Sequence, residues 1–235
     1  AMWLTIPLAA LVTGAVAFLM SFPILRTRGV YMVLATFAFA EIVQGIYINL
    51  EVFGAAAGYP VDAYAGLGII APIALGVVVV SFFIMSTRFG LTMRAVHDDE
   101  RVAALFGVNV RMTQITAFTL GGVVAGIGGA IWAHQFQYVE IQNFNILLSI
   151  FVLLYVLIGG TQTAFGPLVG ALFFTLVPEI LKASLSININ EWRFVFFGVV
   201  IVLMMVVRPE GIVTRTMTER VAAILTFLRG TAAKP

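Results

Sequence analysis

Glu41 is the residue whose setting most invites a chemical role. It stands in Ala38-Phe39-Ala40-Glu41-Ile42-Val43-Gln44, about half-way along an apolar stretch. Gln44 is three residues on and so shares its helical face, while Thr36, five residues back, is only loosely aligned. A carboxylate deep in an apolar segment is costly and turns to a bundle interior or a water-filled path. Three roles are open to Glu41: a hydrogen bond to a neighbouring helix, lining a conduit with Thr36 and Gln44, or proton coupling. Other chemistries find no support. There is no cysteine, hence no disulfide, thiolate zinc site or thiol nucleophile. No G-x-x-x-x-G-K-[ST] phosphate loop and no Ser/His/Asp arrangement stands out. His97 and His134 are expected at opposite ends of the molecule, too far apart for one metal or catalytic site. The expectation is a protein without catalytic residues, metal or cofactor of its own.

Three further segments could carry function. The first is the charged stretch from Arg88 to Arg111, STRFGLTMRAVHDDERVAALFGVNVRM with its flanks. Asp98 or Asp99 can cap a short helix there, and Gly107 is placed to end it in the left-handed conformation. Between these, Val102, Leu105 and Phe106 fall on one face at helical spacing. Such a helix either plugs a groove in a soluble partner or rests on a membrane surface. The second is the break Gly159-Gly160-Thr161-Gln162-Thr163-Ala164-Phe165-Gly166-Pro167 between two short apolar halves. Freed backbone groups at membrane depth are tolerated only where protein buries them or water reaches them. A plain tight turn and a lining of the conduit are both open. The third is a set of glycine pairs, Gly122 with Gly126 and Gly166 with Gly170, both GxxxG. Without a hydrophobic drive in lipid, helices associate where small residues let backbones approach. Packing within the subunit, a partner interface and a sliding helix are the candidate uses.

The elements that must position these residues follow from composition. Of the 235 residues 61% are hydrophobic and 10% charged, with a mean hydropathy of +1.07. A soluble domain carries about 25% charged residues, and a globule of this size has no interior large enough for so much apolar surface. The net charge of +2 gives no nucleic-acid signal. Stretches of about 20 apolar residues, the length that crosses the hydrocarbon core, run near Trp3–Leu25, Gly29–Leu50, Leu67–Ser86 and Thr113–Ala133. Arg193–Val207 is shorter and can begin at Glu191, with Trp192 as an interfacial anchor. The first stretch is too long for a signal peptide and lacks a small-residue cleavage site, so it reads as a span.

Ile146 to Leu181 is about one and a half spans long and is either one long span or two short ones around the break. With two, the segments Arg26–Arg28, Arg88–Arg111 and Arg208–Pro235 share one side. They hold two, four and five of the 13 Lys and Arg residues, leaving only Lys182 and Arg193 elsewhere. The positive-inside rule therefore favours two. The segments assigned outside, Glu51–Gly66 and His134–Asn145, carry Glu51, Asp62 and Glu140 and no Lys or Arg. The expected fold is an all-α integral membrane protein of about seven transmembrane helices. Its N-terminus is outside, its C-terminus is cytoplasmic, and one helix pair is short and broken. Residues 1–213 form the transmembrane domain, with a cytoplasmic loop at 88–112, and 214–235 form a cytoplasmic tail in which Thr214–Leu228 can make an amphipathic helix.

Four segments in order resemble the LivM-type permeases, the membrane subunits of branched-chain amino acid ABC importers. They are Arg28-Gly29-Val30-Tyr31 running into Leu34 through Glu41, Arg94 through Glu100 with Gly107-Val108-Asn109-Val110, Gly159-Gly160-Thr161 with Phe165-Gly166-Pro167 and Gly170-Ala171, and Arg208-Pro209-Glu210-Gly211-Ile212. The likeness covers about Leu11 to Val213, and its specificity lies in the ordered set. Members of the family carry further N-terminal spans ahead of the point where this sequence starts. The resemblance implies a bacterial inner-membrane importer subunit. Its partners would be a second, LivH-like permease, two cytoplasmic ABC ATPases that hold ATP and Mg, and a periplasmic substrate-binding protein. It also implies that Asp98, Asp99, Glu100, Val102, Ala103, Leu105, Phe106 and Gly107 form the helix that couples to the ATPase. Thr36, Glu41, Gln44, Gly159, Gly160 and Thr161 are the candidates for the translocation path. The alternative is an ion- or proton-coupled secondary transporter or channel in which Glu41 is the coupling carboxylate.

Overall fold

The computed structural model describes residues 2–27, 29–51, 54, 57–161, 163, 165–185, 198, 199, 202, 206 and 211–213. The chain divides into two bodies, Ala1–Ile146 and Leu147–Pro235. Nearly all of the described chain is helical. Five helical segments among the described residues are long and apolar enough to cross a membrane.

In the first body, α1 (Met2–Ile24) packs along α6 (Val110–Phe136). Small residues make the approach possible. A Cβ on Gly14 would come within 2.6 Å of Val123 Cγ2, and one on Gly126 within 2.8 Å of the Ala9 carbonyl oxygen and 3.0 Å of Ala10 Cα. A Cβ on Gly122 would strike Ala17. On α1 the facing residues Ala10, Thr13, Gly14, Ala17 and Ser21 recur every three or four positions, one face of a helix. The two helices run antiparallel, so Thr5 of α1 meets His134 near the end of α6. Leu25 and Arg26, just past the other end of α1, share a cavity with Val110 and Gln114 at the start of α6.

Helices α2 (Val30–Asn49) and α3 (Leu67–Ser86) have no buried residue. Their apolar side chains, Leu75 at 65% and Phe83 at 70% exposure among them, stay uncovered among the described residues. Surfaces of that kind are at home in lipid or against another subunit. Between the ends of α2 and α3 the chain folds over the end of α6. Strand β1 (Tyr59–Pro60) pairs antiparallel with β2 (Tyr138–Val139), Tyr59 opposite Val139. Gln137, the αL residue that caps α6, accepts from the Val61 amide at 2.9 Å.

The charged stretch after α3 is more ordered than its composition suggests. It is not a loop around one short helix. It holds α4 (Arg88–Asp98) and α5 (Glu100–Leu105), and α6 begins at Val110, three residues ahead of the expected Thr113. The chain turns sharply at Thr87. Gly90 permits this, since a Cβ there would come within 2.6 Å of Met85 backbone atoms. Arg94 reaches back to the Met85 carbonyl at 3.0 Å and ties α4 to the last turn of α3.

The second body contains α7 (Ile146–Gly159) and α8 (Gly166–Leu185). They form an antiparallel hairpin, as the two-span reading of the break expects. α7 has 14 residues and reaches span length together with the 3₁₀ turn Ile141–Asn143 before it. Gly159, Gly166 and Gly170 bring the backbones together. A Cβ on Gly170 would lie 3.0 Å from Gly159 N, and one on Gly166 would lie 2.8 Å from Gly160 C. Ile158 and Phe174 are buried at the centre, and Tyr155 stacks on Phe174 at 5.0 Å. The seventh expected span falls mostly outside the described residues, although 198, 199, 202 and 206 are helical. The expected tail at 214–235 also lies outside them.

Candidate functional site

Helix α5 is short, and its ends are fixed by side-chain and backbone chemistry. Asp99 caps it, its Oδ1 accepting from the amides of Arg101 at 2.8 Å and Val102 at 3.1 Å. At the other end Val108 N donates to Ala103 O at 3.1 Å and Gly107 N to Ala104 O at 3.0 Å. With Gly107 at φ +82° this is a Schellman motif. Asn109 then caps α6, accepting from Met112 N at 3.1 Å. A six-residue helix has little stability by itself, so these caps and its packing hold it.

The faces of α5 divide sharply. Ala103 is buried at 3% exposure and turns inward. Glu100 accepts from Gln114 Nε2 at 2.8 Å, which binds α5 to α6. Leu105 at 86%, Phe106 at 84% and Val102 at 46% project outward. Of the eight residues the resemblance assigns to coupling, Asp99, Glu100, Ala103 and Gly107 thus shape or anchor the helix, and Asp98 is the last residue of α4 ahead of it. The other three make an apolar knob.

The translocation-path candidates fall in the two separate bodies. Thr36 donates to Val33 O at 2.7 Å, within α2. Glu41 is exposed and Gln44 partly so, and Glu41 makes no hydrogen bond among the described residues. Gly159, Gly160 and Thr161 lie at the α7 end, where a contact the sequence did not suggest appears. Ile212 N donates to Ile158 O at 2.8 Å and Val213 N to Gly159 O at 3.0 Å. The last carbonyls of α7, which have no partner within the helix, are thus capped by residues 211–213. The approach needs glycine on both sides, with Gly160 at φ +110° and a Cβ on Gly211 only 2.7 Å from Gly160 N. Two of the four resembling segments meet here. Nearby, the Thr163 hydroxyl is buried without a partner among the described residues.

His134 was expected only as a residue apart from His97. It is buried at 5% exposure, and it joins three segments. Nδ1 lies 2.9 Å from the Ala63 carbonyl and so must carry the proton it donates, while Nε2 lies 2.7 Å from Thr5 Oγ1. The signal for it was weak: one polar residue in the last turn of a span. His97, in the last turn of α4, is at the other end of α6.

Comparison with known proteins bears on what these elements serve. The profile of the family described as "Branched-chain amino acid transport system / permease component" matches residues 1–205. The chain belongs to this family. It is 28% identical over 253 aligned positions to the high-affinity branched-chain amino acid transport system permease protein LivM of Escherichia coli (strain K12), covering 92% of this chain and 58% of that protein. It is 25% identical to the corresponding permease protein LivH of the same organism, over 63% of this chain and 46% of the relative. The Autoinducer 2 import system permease protein LsrC of Klebsiella pneumoniae is 31% identical over 51% of this chain and 36% of its own. The chain therefore spans less than two thirds of the length of these curated relatives. No solved structure matches it significantly. Family membership and the apolar helices together make this a multi-pass membrane protein.

Proposed function

We propose that the chain is a membrane-spanning permease subunit of an ABC importer for branched-chain or related amino acids in the bacterial inner membrane, coupled through α5 to separate ATPases. The observation that carries this is the α5 knob in a chain of this family. Two large apolar side chains, each more than four-fifths exposed, stand on a helix whose ends are both locked. Isolated apolar anchors on a rigid, charged segment suit a groove on a soluble partner. The orientation that supports this has the N-terminus outside and the C-terminus inside across seven spans. It puts α4 and α5 on the side where the ATPases bind ATP and Mg. A second, LivH-like permease and a periplasmic binding protein complete the assembly. The uncovered faces of α2 and α3 fit a partner subunit, and Glu41 on α2 fits a path closed by that partner.

The test is Leu105→Asp with Phe106→Asp in the assembled transporter. These side chains are exposed, so the spans should fold unchanged by circular dichroism and gel filtration. ATPase recovery and ATP-driven uptake should fall by at least about tenfold, as for loss of a binding hot spot. Unaltered recovery and uptake would remove α5 as the coupling element. Glu41→Gln separates the reading from a carrier: uptake should persist here, while a proton-coupled carrier would lose it.

A further inference from the structure

At the end of the first body opposite His134, the α1–α2 turn, α5 and the start of α6 enclose an open cavity of about 810 Å³. Its walls are of two kinds. Arg26 and Arg111 line it, with the Thr27 hydroxyl engaged by Ile24 O at 2.7 Å. Leu25, Met32 and Phe118 line it as well and are apolar. Both guanidinium groups belong to exposed residues and have no carboxylate partner among the described residues. The one acid in the lining, Glu100, is held by Gln114 at 2.8 Å. The cavity sits where three membrane-length helices, α1, α2 and α6, have an end, and the ends of spanning helices lie at the level of the lipid headgroups.

We infer that this cavity binds an anionic phospholipid, its phosphate between Arg26 and Arg111 and its acyl chain against Leu25, Met32 and Phe118. Phosphate suits guanidinium because the planar fork donates two hydrogen bonds to its oxygens. Basic pockets between helices at the cytoplasmic surface hold acidic headgroups for this reason. The apolar lining separates the lipid from a free anion, because inorganic phosphate gains nothing from Met32 or Phe118. Glu100 opposes the phosphate, so it sets the sign of a second effect: neutralising it strengthens binding. The inference rests on the membrane-spanning reading and not on transport, so it stands or falls separately from the proposed function.

The test is native mass spectrometry of the full chain in mild detergent, titrated with phosphatidylglycerol, with phosphatidylcholine, or with inorganic phosphate. Phosphatidylglycerol should be retained in preference to phosphatidylcholine, and millimolar phosphate should not displace it. Arg26→Gln with Arg111→Gln should weaken retention by about 30-fold, from about 1 kcal/mol for each basic residue near a lipid surface. Arg88→Gln, outside the cavity, should have little effect, and Glu100→Gln should increase retention. In the unaltered chain a photoreactive phosphatidylglycerol should label peptides containing Met32 or Phe118, a readout that needs no variant. Equal weakening by Arg88→Gln would show general attraction to the surface and overturn the site. Displacement by phosphate would make it a free-anion site. Absence of any anionic-lipid preference, with no label at Met32 or Phe118, would assign the cavity to a protein partner.

Discussion

A single Cβ at Gly126 would strike the Thr13 hydroxyl, and behind it the Ala9 carbonyl at 2.8 Å and Ala10 Cα at 3.0 Å are backbone atoms that cannot rotate away. Gly126→Leu should therefore push α1 off α6 and cost about 1–3 kcal/mol or more, seen as a lower unfolding midpoint of the purified chain in a denaturing-detergent titration. Gly129, on the same helix with open space around it, should tolerate alanine with little change. His134 makes the contrasting case. His134→Ala strands the Ala63 carbonyl, while the Thr5 hydroxyl keeps the Met2 carbonyl at 2.9 Å, and should cost about 1–3 kcal/mol. His134→Leu should recover little of this, because the loss is polar. The Gly122–Gly126 pair could be read from spacing, since close packing in lipid needs small residues. Its partner surface on α1 had the same spacing in Ala10, Thr13, Gly14 and Ala17, but in an apolar helix small residues blend with the rest. The role of His134 was not readable, because Thr5 and Ala63 reach it from 129 and 71 residues away.

Caps dominate at the scale of elements. Asp98 or Asp99 was expected to open α5 and Gly107 to close it; Asp99 does so by side-chain acceptance and Gly107 by a Schellman turn. Asp99→Ala should cost about 1 kcal/mol and Gly107→Val should strain the left-handed turn. Both should raise hydrogen exchange in residues 100–108 while leaving α1 and α6 protected. The extra helix α4 was missed for a physical reason. Its charge excludes it as a span, and a helix outside the membrane core needs no long apolar run. Its inward face is as modest as Gly90 and Val96. The hairpin of α7 and α8 was legible from the Gly159–Pro167 break and the charge balance. That residues 211–213 cap α7 was not, because the pairing is between backbones. Gly170→Val should separate the hairpin, as its Cβ would strike Tyr155 O. Tyr155 and Phe174 would part with it, and the near-ultraviolet circular dichroism from their stacking should weaken.

At the scale of the whole molecule, composition already demanded a membrane, and the uncovered apolar faces of α2 and α3 express that demand in three dimensions. Antiparallel α1 and α6 place the arginine-bearing turn at Arg26 and the charged stretch of α4 and α5 at one end. That is the arrangement the positive-inside rule expects of a single cytoplasmic face. Lipid or another subunit would lie against those faces, and neither is written in this chain's own sequence. The most direct measurement is therefore purification of the tagged chain from its native membrane in mild detergent, with mass spectrometry of what accompanies it. Recovery of a second permease and an ABC ATPase, with the ATPase lost on Leu105→Asp and Phe106→Asp, is the expected result. A chain that purifies with no ATPase, and whose uptake follows the proton gradient and is abolished by Glu41→Gln, would contradict it.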